Sequence, residues 1–252
     1  MNYCQTLGPL CALVDRRLAE LAFHETGIPK DLNTLRQMAQ SIQEKHATIL
    51  LSIEKKHIRL PSSAIEFRAL FQSAHQSIFT GTGLKFAGSF RDGPVTFGLG
   101  KNQLEGVESS EIEERLDSLF YSLPIPKIDD LATMTRKAFL RLCARFLEEF
   151  FIIHPFFDGN GRVGRLFIGL LAKESARFQF RPFSDVDQEK KYLKSLEFSH
   201  KHAKPRVAGE QVIDPYKYLV AWLEKSLDID FEAGGANFAL ISEAEPPTQQ
   251  AE

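Results

Sequence analysis

The sequence predicts a mainly α-helical protein with one small β-hairpin and a helical N-terminal region. Apolar residues recur at three- and four-residue spacings over most of the chain, which is the pattern of amphipathic helices. Strand-like runs are confined to the glycine-rich stretch 81–106. A chain of 252 residues is long enough for one sizeable domain with an extension. We therefore divide it into an N-terminal helical region (1–61), a core domain (62–232) and a polar C-terminal tail (233–252).

The helices before the hairpin follow from apolar stripes and from residues that break helices. A first helix is predicted over 10–23 and a second over 32–53, separated by Gly27 and Pro29. Ser62 or Ser63 can cap a third helix that continues to about Phe79.

Two short β-prone runs, 95–97 and 103–104, flank the turn-forming residues 98–102, and together they predict the hairpin. The acidic stretch that follows, 108–123, predicts a helix that is closed by two prolines. Four further helices are predicted, over 131–153, 162–174, 187–200 and 215–227.

Composition and charge narrow the classes of function. The 31 basic and 33 acidic residues give a formal net charge of −2, so no bulk positive field is available to hold a nucleic-acid duplex. The cysteines (Cys4, Cys11 and Cys143) have neither zinc-site nor disulfide spacing. The most apolar stretch, 139–157, is interrupted by charges, and the N-terminus lacks a signal-peptide pattern. We expect a cytoplasmic protein that binds neither nucleic acid nor membrane.

The stretch 154–165, His-Pro-Phe-Phe-Asp-Gly-Asn-Gly-Arg-Val-Gly-Arg, carries the chemistry. Gly159 and Gly161 allow a sharp turn that can bring backbone N–H groups close to a ligand. The turn enters a predicted helix, whose first N–H groups form an anion site. Arg162 and Arg165 are separated by three positions, so they can share one helix face. The stretch therefore predicts a polyphosphate site.

Two further side chains of this stretch suit phosphate chemistry. Asp158 supplies a hard oxygen ligand for Mg²⁺, and the imidazole of His154 can accept a proton near neutral pH. Taken singly, each of these features is common without function, because histidines often end helices and arginines are often solvated. Their occurrence together favours a polyphosphate site.

The same stretch resembles the signature of the Fic family, His-x-Phe-x-(Asp/Glu)-Gly-Asn-Gly-Arg-x-x-Arg, at every specified position. The segment 88–91, Gly-Ser-Phe-Arg, resembles the family's Gly-x-aromatic-Arg segment, which leads into a hairpin called the flap. The resemblance covers about 62–227. It implies a Fic-type helical bundle with a small β-hairpin flap and an N-terminal helical extension.

The resemblance also implies an activity, namely transfer of AMP from ATP to a Ser, Thr or Tyr hydroxyl of a target protein, with Mg²⁺ as cofactor. It makes His154 the general base, Asp158 the Mg²⁺ ligand and Phe156 an anchor of the loop in the core. The target segment would bind along the flap, from Val95 to Gly106, by strand addition. The implied nucleotide-binding residues are Asp158, Gly159, Asn160, Gly161, Arg162, Arg165 and, by a looser match near the adenine, Tyr192.

Several alternatives stay open at this stage. Some family members use another nucleotide, such as UTP or GTP, transfer phosphocholine, or act as kinases, although the kinase-type members depart from the Gly-Asn-Gly-Arg that this chain keeps. Others are toxins restrained by a small inhibitory partner. A non-enzymatic interaction module is disfavoured by the intact base, metal ligand and arginines. The family's inhibitory motif, (Ser/Thr)-x-x-x-Glu-(Gly/Asn), has only degenerate counterparts here, at Glu54 and Glu66. The target protein, the oligomeric state and delivery into a host cell are not predicted.

Overall fold

The structure is a computed structural model, and it describes residues 31–55, 59–99, 102–123, 128–175, 178–180, 186–203 and 214–229. The helix predicted over 10–23 and the predicted tail 233–252 lie outside these residues. Within the described ranges the helices are α1 (Leu32–Lys55), α2 (Ala64–Phe79), α3 (Ile112–Ser122), α4 (Ile128–Thr133), α5 (Arg136–Ile153), α6 (Asn160–Glu174), α7 (Val186–Ala203) and α8 (Lys217–Ser226).

The strands of the described residues form two antiparallel pairs. β1 (Thr96–Leu99) pairs with β2 (Asn102–Glu105), which confirms the predicted hairpin. β3 (Phe178–Phe180) pairs with β4 (Leu227–Ile229), a pair that the sequence analysis did not predict. Strands this short carry no readable alternation of apolar and polar residues.

The prediction of one helix over 131–153 is wrong, because the chain forms α4 and α5 there with a break between them. Thr135 gives α5 its own N-cap, since its side chain accepts a hydrogen bond from the Ala138 N–H at 3.3 Å. The third predicted helix is confirmed as α2. Ser63 is its N-cap and accepts a hydrogen bond from the Glu66 N–H at 3.2 Å.

Buried aromatic rings from α2, α5 and α6 form the centre of the core. The Phe67 and Phe71 ring centroids of α2 lie 4.4 Å apart. Phe146 of α5 and Phe167 of α6 lie 4.5 Å apart, and all four side chains are buried. This packing fixes the C-terminal end of α5 and the N-terminal end of α6 on either side of the loop 154–159.

The helix α1 packs against α2 and α6, so the expected contact between the N-terminal helical region and the core is confirmed for α1. Its buried side chains include Leu35, Ile42 and Leu50. Among the described residues, no helix combines the length and the apolar character that a membrane span requires.

Glu148 of α5 is a buried carboxyl whose Oε1 lies 3.8 Å from Nδ1 of His200 in α7. Burial raises the pKa of Glu148 from 4.5 to about 7, Glu149 raises it further, and Arg145 opposes the shift. Between these two values the folded protein keeps a proton that the unfolded chain releases. The free energy of unfolding should therefore fall as the pH rises through this window.

We expect Glu148→Gln to remove this contribution, so that the stability of the variant relative to wild type rises between about pH 5 and about pH 8. Denaturant unfolding of both proteins at the two pH values measures the difference. An identical pH dependence of the two proteins would show that Glu148 keeps its ordinary pKa when folded.

Candidate active site

His154 ends α5 in an unusual backbone conformation. Its φ of 48° and ψ of 59° lie in the left-handed region, and it is the one non-glycine residue with positive φ among those the structure describes. Its N–H still donates to the Phe150 carbonyl at 3.1 Å. The left-handed turn directs the chain out of the helix and into the loop 154–159.

His154 is 7% exposed, and one nitrogen of its imidazole contacts a backbone carbonyl. Its Nδ1 lies 3.2 Å from the Phe151 carbonyl oxygen. Because a carbonyl only accepts hydrogen bonds, Nδ1 carries the proton and Nε2 is the acceptor nitrogen. Phe97 of β1 stacks on the ring with centroids 4.0 Å apart and planes at 6°, so the flap lies directly over the imidazole.

The loop after His154 is held from inside by Phe156 and Asn160. Phe156 is fully buried, which confirms it as the anchor. The Asn160 side chain accepts from the Phe156 N–H at 2.9 Å and donates to the Phe156 carbonyl at 2.7 Å. These two hydrogen bonds engage the side-chain amide of Asn160 within the loop. The predicted role of Asn160 in nucleotide binding would therefore fall to its backbone N–H.

His75 of α2 holds the same loop from the other side. Its Nδ1 accepts from the Gly88 N–H at 2.9 Å, and its Nε2 donates to the Asp158 carbonyl at 3.1 Å. Its ring is stacked on Phe156 at 4.0 Å. Burial lowers the pKa of His75 to about 4, so the ring is neutral near pH 7. No sequence pattern predicted a role for this residue, because one histidine in an amphipathic helix gives no signal.

Gly159 is the N-cap of α6 and has a φ of 80°. A Cβ atom there would lie 2.6 Å from Cε2 of Phe79, so only glycine fits the turn. Its N–H donates to Oδ1 of Asp158 at 2.7 Å. A helix that begins at Asn160 presents its first N–H groups without intrahelical partners, and these are the groups for which the sequence predicts anion binding.

The two arginines lie beside this helix end. Nη1 of Arg162 lies 3.7 Å from Oδ2 of Asp158. Arg165 is 6% exposed, and its guanidinium carbon lies 5.6 Å from the ring centroid of Tyr192. Tyr192 is itself buried and packs on Trp222 at 4.7 Å. It therefore supports Arg165, while its contact with adenine stays a prediction.

His46 brings α1 to the same place. Its Nε2 donates to the Arg162 carbonyl at 3.2 Å, and burial together with the charges of Arg165 and Arg162 lowers its pKa well below 6.5. A neutral histidine from the N-terminal region therefore contacts the helix that carries both arginines. No motif in α1 predicted it.

Of the two degenerate candidates for an inhibitory glutamate, Glu54 and Glu66, the structure describes the side chain of Glu66 alone. The Glu66 carboxylate accepts from the Ser62 N–H at 2.7 Å and from the Ser62 hydroxyl at 2.8 Å. It therefore belongs to the cap of α2. The side chain of Glu54 lies outside the described residues, so that candidate stays a prediction.

Residues 67–172 match a protein-family model described as the Fic/DOC family. This stretch contains most of α2, the flap, α5 and the whole segment 154–165, from the histidine to the second arginine. This chain carries a Fic/DOC domain. The family that the motif predicted is thereby confirmed, and so is the mainly helical Fic fold.

Solved Fic structures share the fold of this domain at low sequence identity. BepC, a VirB-translocated effector protein from Bartonella tribocorum with bound AMPPNP, has a TM-score of 0.58 and 15% identity, over 80% of this chain and 90% of that one. A Bep effector Fic domain from Bartonella quintana with bound ADP has a TM-score of 0.56 and 17% identity, over 82% and 90%. A Fic-domain signalling protein from Bacteroides thetaiotaomicron has a TM-score of 0.55 and 17% identity, over 81% of this chain and 74% of that one. A search of curated protein sequences found no match.

The single carboxylate of Asp158 fits Mg²⁺, which needs few ligands from the protein in a nucleotide site. Within the described part of the chain, no group of three or more His, Cys, Asp and Glu side chains is arranged so that it could hold a metal ion. Asp158 offers one carboxylate at the mouth of the anion site, with its side chain 21% exposed. Mg²⁺ in nucleotide sites is commonly bound by one or two carboxylates, with phosphates and water completing its shell. The residues present fit that arrangement.

Gly161→Ala should weaken ATP binding without destabilising the Fic domain. A Cβ there would lie 3.1 Å from Nη1 of Arg165, so the guanidinium must shift by a few tenths of an ångström. We expect a loss of about 1 kcal/mol, or about fivefold in affinity. Alanine has a higher helix propensity than glycine, so the melting temperature of the variant should stay the same or rise. Calorimetry and thermal unfolding measure both, and unchanged affinity would contradict the prediction.

Proposed function

We propose that this Fic domain transfers AMP from ATP to a Ser, Thr or Tyr hydroxyl of a target protein. The observation that carries the proposal is the 3.2 Å contact between Nδ1 of His154 and the Phe151 carbonyl oxygen. The Nδ1–H donates to this carbonyl, so Nε2 is the nitrogen able to take a proton from a hydroxyl. This base is joined through one short loop to an anion site that holds two arginines.

In the proposed reaction the target hydroxyl oxygen attacks the α-phosphorus of ATP. A bond forms between that oxygen and the α-phosphorus, while the bond from the α-phosphorus to the oxygen that bridges to the β-phosphate breaks. The hydroxyl proton passes to Nε2 of His154, and the electron pair leaves with pyrophosphate. Throughout, the carbonyl of Phe151 keeps the ring oriented through Nδ1–H.

The chain's own groups orient the phosphates. The N–H groups at the start of α6 and the guanidinium groups of Arg162 and Arg165 hold the phosphate oxygens. Asp158 would hold Mg²⁺, which supplies positive charge against the phosphate oxygens when bound. The nucleotides in the BepC and Bartonella quintana structures, AMPPNP and ADP, support a nucleotide as the ligand of this domain.

The flap is the proposed docking place of the target. It is a two-stranded ribbon of four residues per strand, and an extended segment can add to such an edge through backbone hydrogen bonds. Phe97 places β1 over the imidazole. A segment bound along the flap would therefore pass close to the base.

The test uses ATP labelled on either the α- or the γ-phosphate, incubated with the protein, Mg²⁺ and a cell lysate. Protein bands should gain the α-label and not the γ-label, and the His154→Ala variant should give none. Transfer of the γ-label would indicate a kinase-type reaction, and transfer from labelled UTP or GTP instead would overturn the choice of nucleotide. A protein that binds no nucleotide would favour the interaction module.

A further inference from the structure

Arg91 lies beside the flap and is almost entirely buried, with 2% of its surface exposed. Its guanidinium donates to backbone carbonyls and not to a carboxylate in the contacts that the structure describes. Nε donates to the His154 carbonyl at 2.7 Å and Nη1 to the Gly93 carbonyl at 2.7 Å. Nη2 donates to the carbonyls of Val107 and Ile153. The side chain thus satisfies the last carbonyls of α5.

These carbonyls belong to three separate segments. Gly93 precedes β1, Val107 follows β2, and His154 carries the proposed base. The backbone N–H of Arg91 also donates to the Pro155 carbonyl at 2.9 Å. One residue therefore ties both arms of the flap to the backbone on either side of the imidazole.

Two other features link these hydrogen bonds of Arg91 to the position of the His154 imidazole. The left-handed backbone of His154 is a strained conformation for a residue with a Cβ atom, and it persists only where the surroundings hold it. Phe97, on the flap, is stacked on the imidazole, so a shift of the flap would move a ring that contacts the base. The position of the flap and the orientation of the base are therefore mechanically linked.

We propose that Arg91 is a positioning residue that fixes the flap and the His154 imidazole in one arrangement, so that a hydroxyl presented on the flap meets Nε2. The inference rests on the proposed AMP transfer, for which His154 is the base. Arginine suits this role because its five N–H donors form a rigid planar fork. Lysine carries its three donors on one nitrogen, so it cannot reach all four carbonyls.

Two variants disturb the tie in different ways. Arg91→Lys keeps the charge and removes the fork. Gly106→Ala keeps the arginine at position 91, but the new Cβ would lie 2.7 Å from Nη2 of Arg91 and 2.9 Å from Cγ1 of Val95, so the guanidinium and the Val95 side chain must both shift. Arg115→Lys is the matched control, because Arg115 is an exposed residue of α3 whose ion pair with Glu111 lies outside the site.

We expect both variants to bind ATP as wild type does, because the anion site belongs to α6. Transfer should fall about 10²-fold, the scale of a reacting group misplaced by about 1 Å, with a raised KM for the target. In the nitrogen NMR spectrum, the His154 ring should lose its single tautomer with protonated Nδ1. Backbone N–H groups of β1 and β2 should exchange faster with solvent. Arg115→Lys should change none of these quantities.

The NMR and exchange measurements need no transfer activity, so they separate this inference from the proposed function. If wild type transfers nothing but both variants change the tautomer and the exchange, the proposed function fails and the positioning role stands. If the folded variants keep the wild-type tautomer and exchange rates, the positioning role is wrong. Should Arg91→Lys fail to fold, Gly106→Ala decides by the same criteria.

Discussion

Replacing His154 should abolish transfer while ATP binding stays close to that of wild type. In the proposed site the phosphates are held by the N-terminus of α6 and by the two arginines, none of which needs the imidazole. Removal of a general base typically costs about 10²–10⁴ in rate. Calorimetric titration with ATP and a transfer assay on the same preparations measure the two effects separately.

The choice of substitution matters because the backbone of His154 is left-handed. Alanine disfavours that region, whereas asparagine adopts it more readily, so His154→Asn removes the base with less backbone strain than His154→Ala. Both variants should lose transfer, and His202→Ala, on α7, should keep it. Near wild-type transfer by His154→Asn would show that His154 is only a helix-end residue, and the proposed mechanism would be wrong.

Arg165→Ala should act in the opposite way, chiefly on nucleotide binding. The substitution removes a charge-assisted contact to phosphate worth roughly 1.5–3 kcal/mol, which is about a 10- to 150-fold loss of ATP affinity. Because Arg165 is almost fully buried and packs on Tyr192, no other side chain can easily take its position. Transfer should fall with binding and recover in part at high ATP concentration.

Arg115→Ala is the control for this substitution, because it removes an exposed arginine of the same charge from α3. It should leave ATP affinity and transfer unchanged. If Arg165→Ala binds ATP as tightly as this control does, the arginine does not contact phosphate, and its burial serves the core alone.

The parts of the site that the sequence predicted are those encoded locally. The segment 154–165 contains its own turn, helix start and charged side chains, so its pattern is readable without the rest of the chain. The flap is equally local, because β1 and β2 are neighbours in sequence. Apolar periodicity located most of the helices, although the break before α5 depends on one capping threonine.

The contacts that position the site could not be predicted, because they join distant parts of the chain. His75 reaches Asp158 across 83 positions, and His46 reaches Arg162 across 116. These contacts follow from how α1 and α2 pack on α6, which no local pattern specifies. The motif predicted Asn160 as a site residue but did not predict the role of its side chain. That side chain holds the loop closed through two hydrogen bonds to the backbone of Phe156.

Mass spectrometry of a modified target protein tests most directly which chemical group the proposed reaction places on a protein hydroxyl. The target is incubated with the wild-type protein, ATP and Mg²⁺, then digested and fragmented to locate the change. We predict one AMP group on a Ser, Thr or Tyr side chain, absent when His154→Asn replaces wild type. A phosphate group or a different nucleotide at that position would contradict the account.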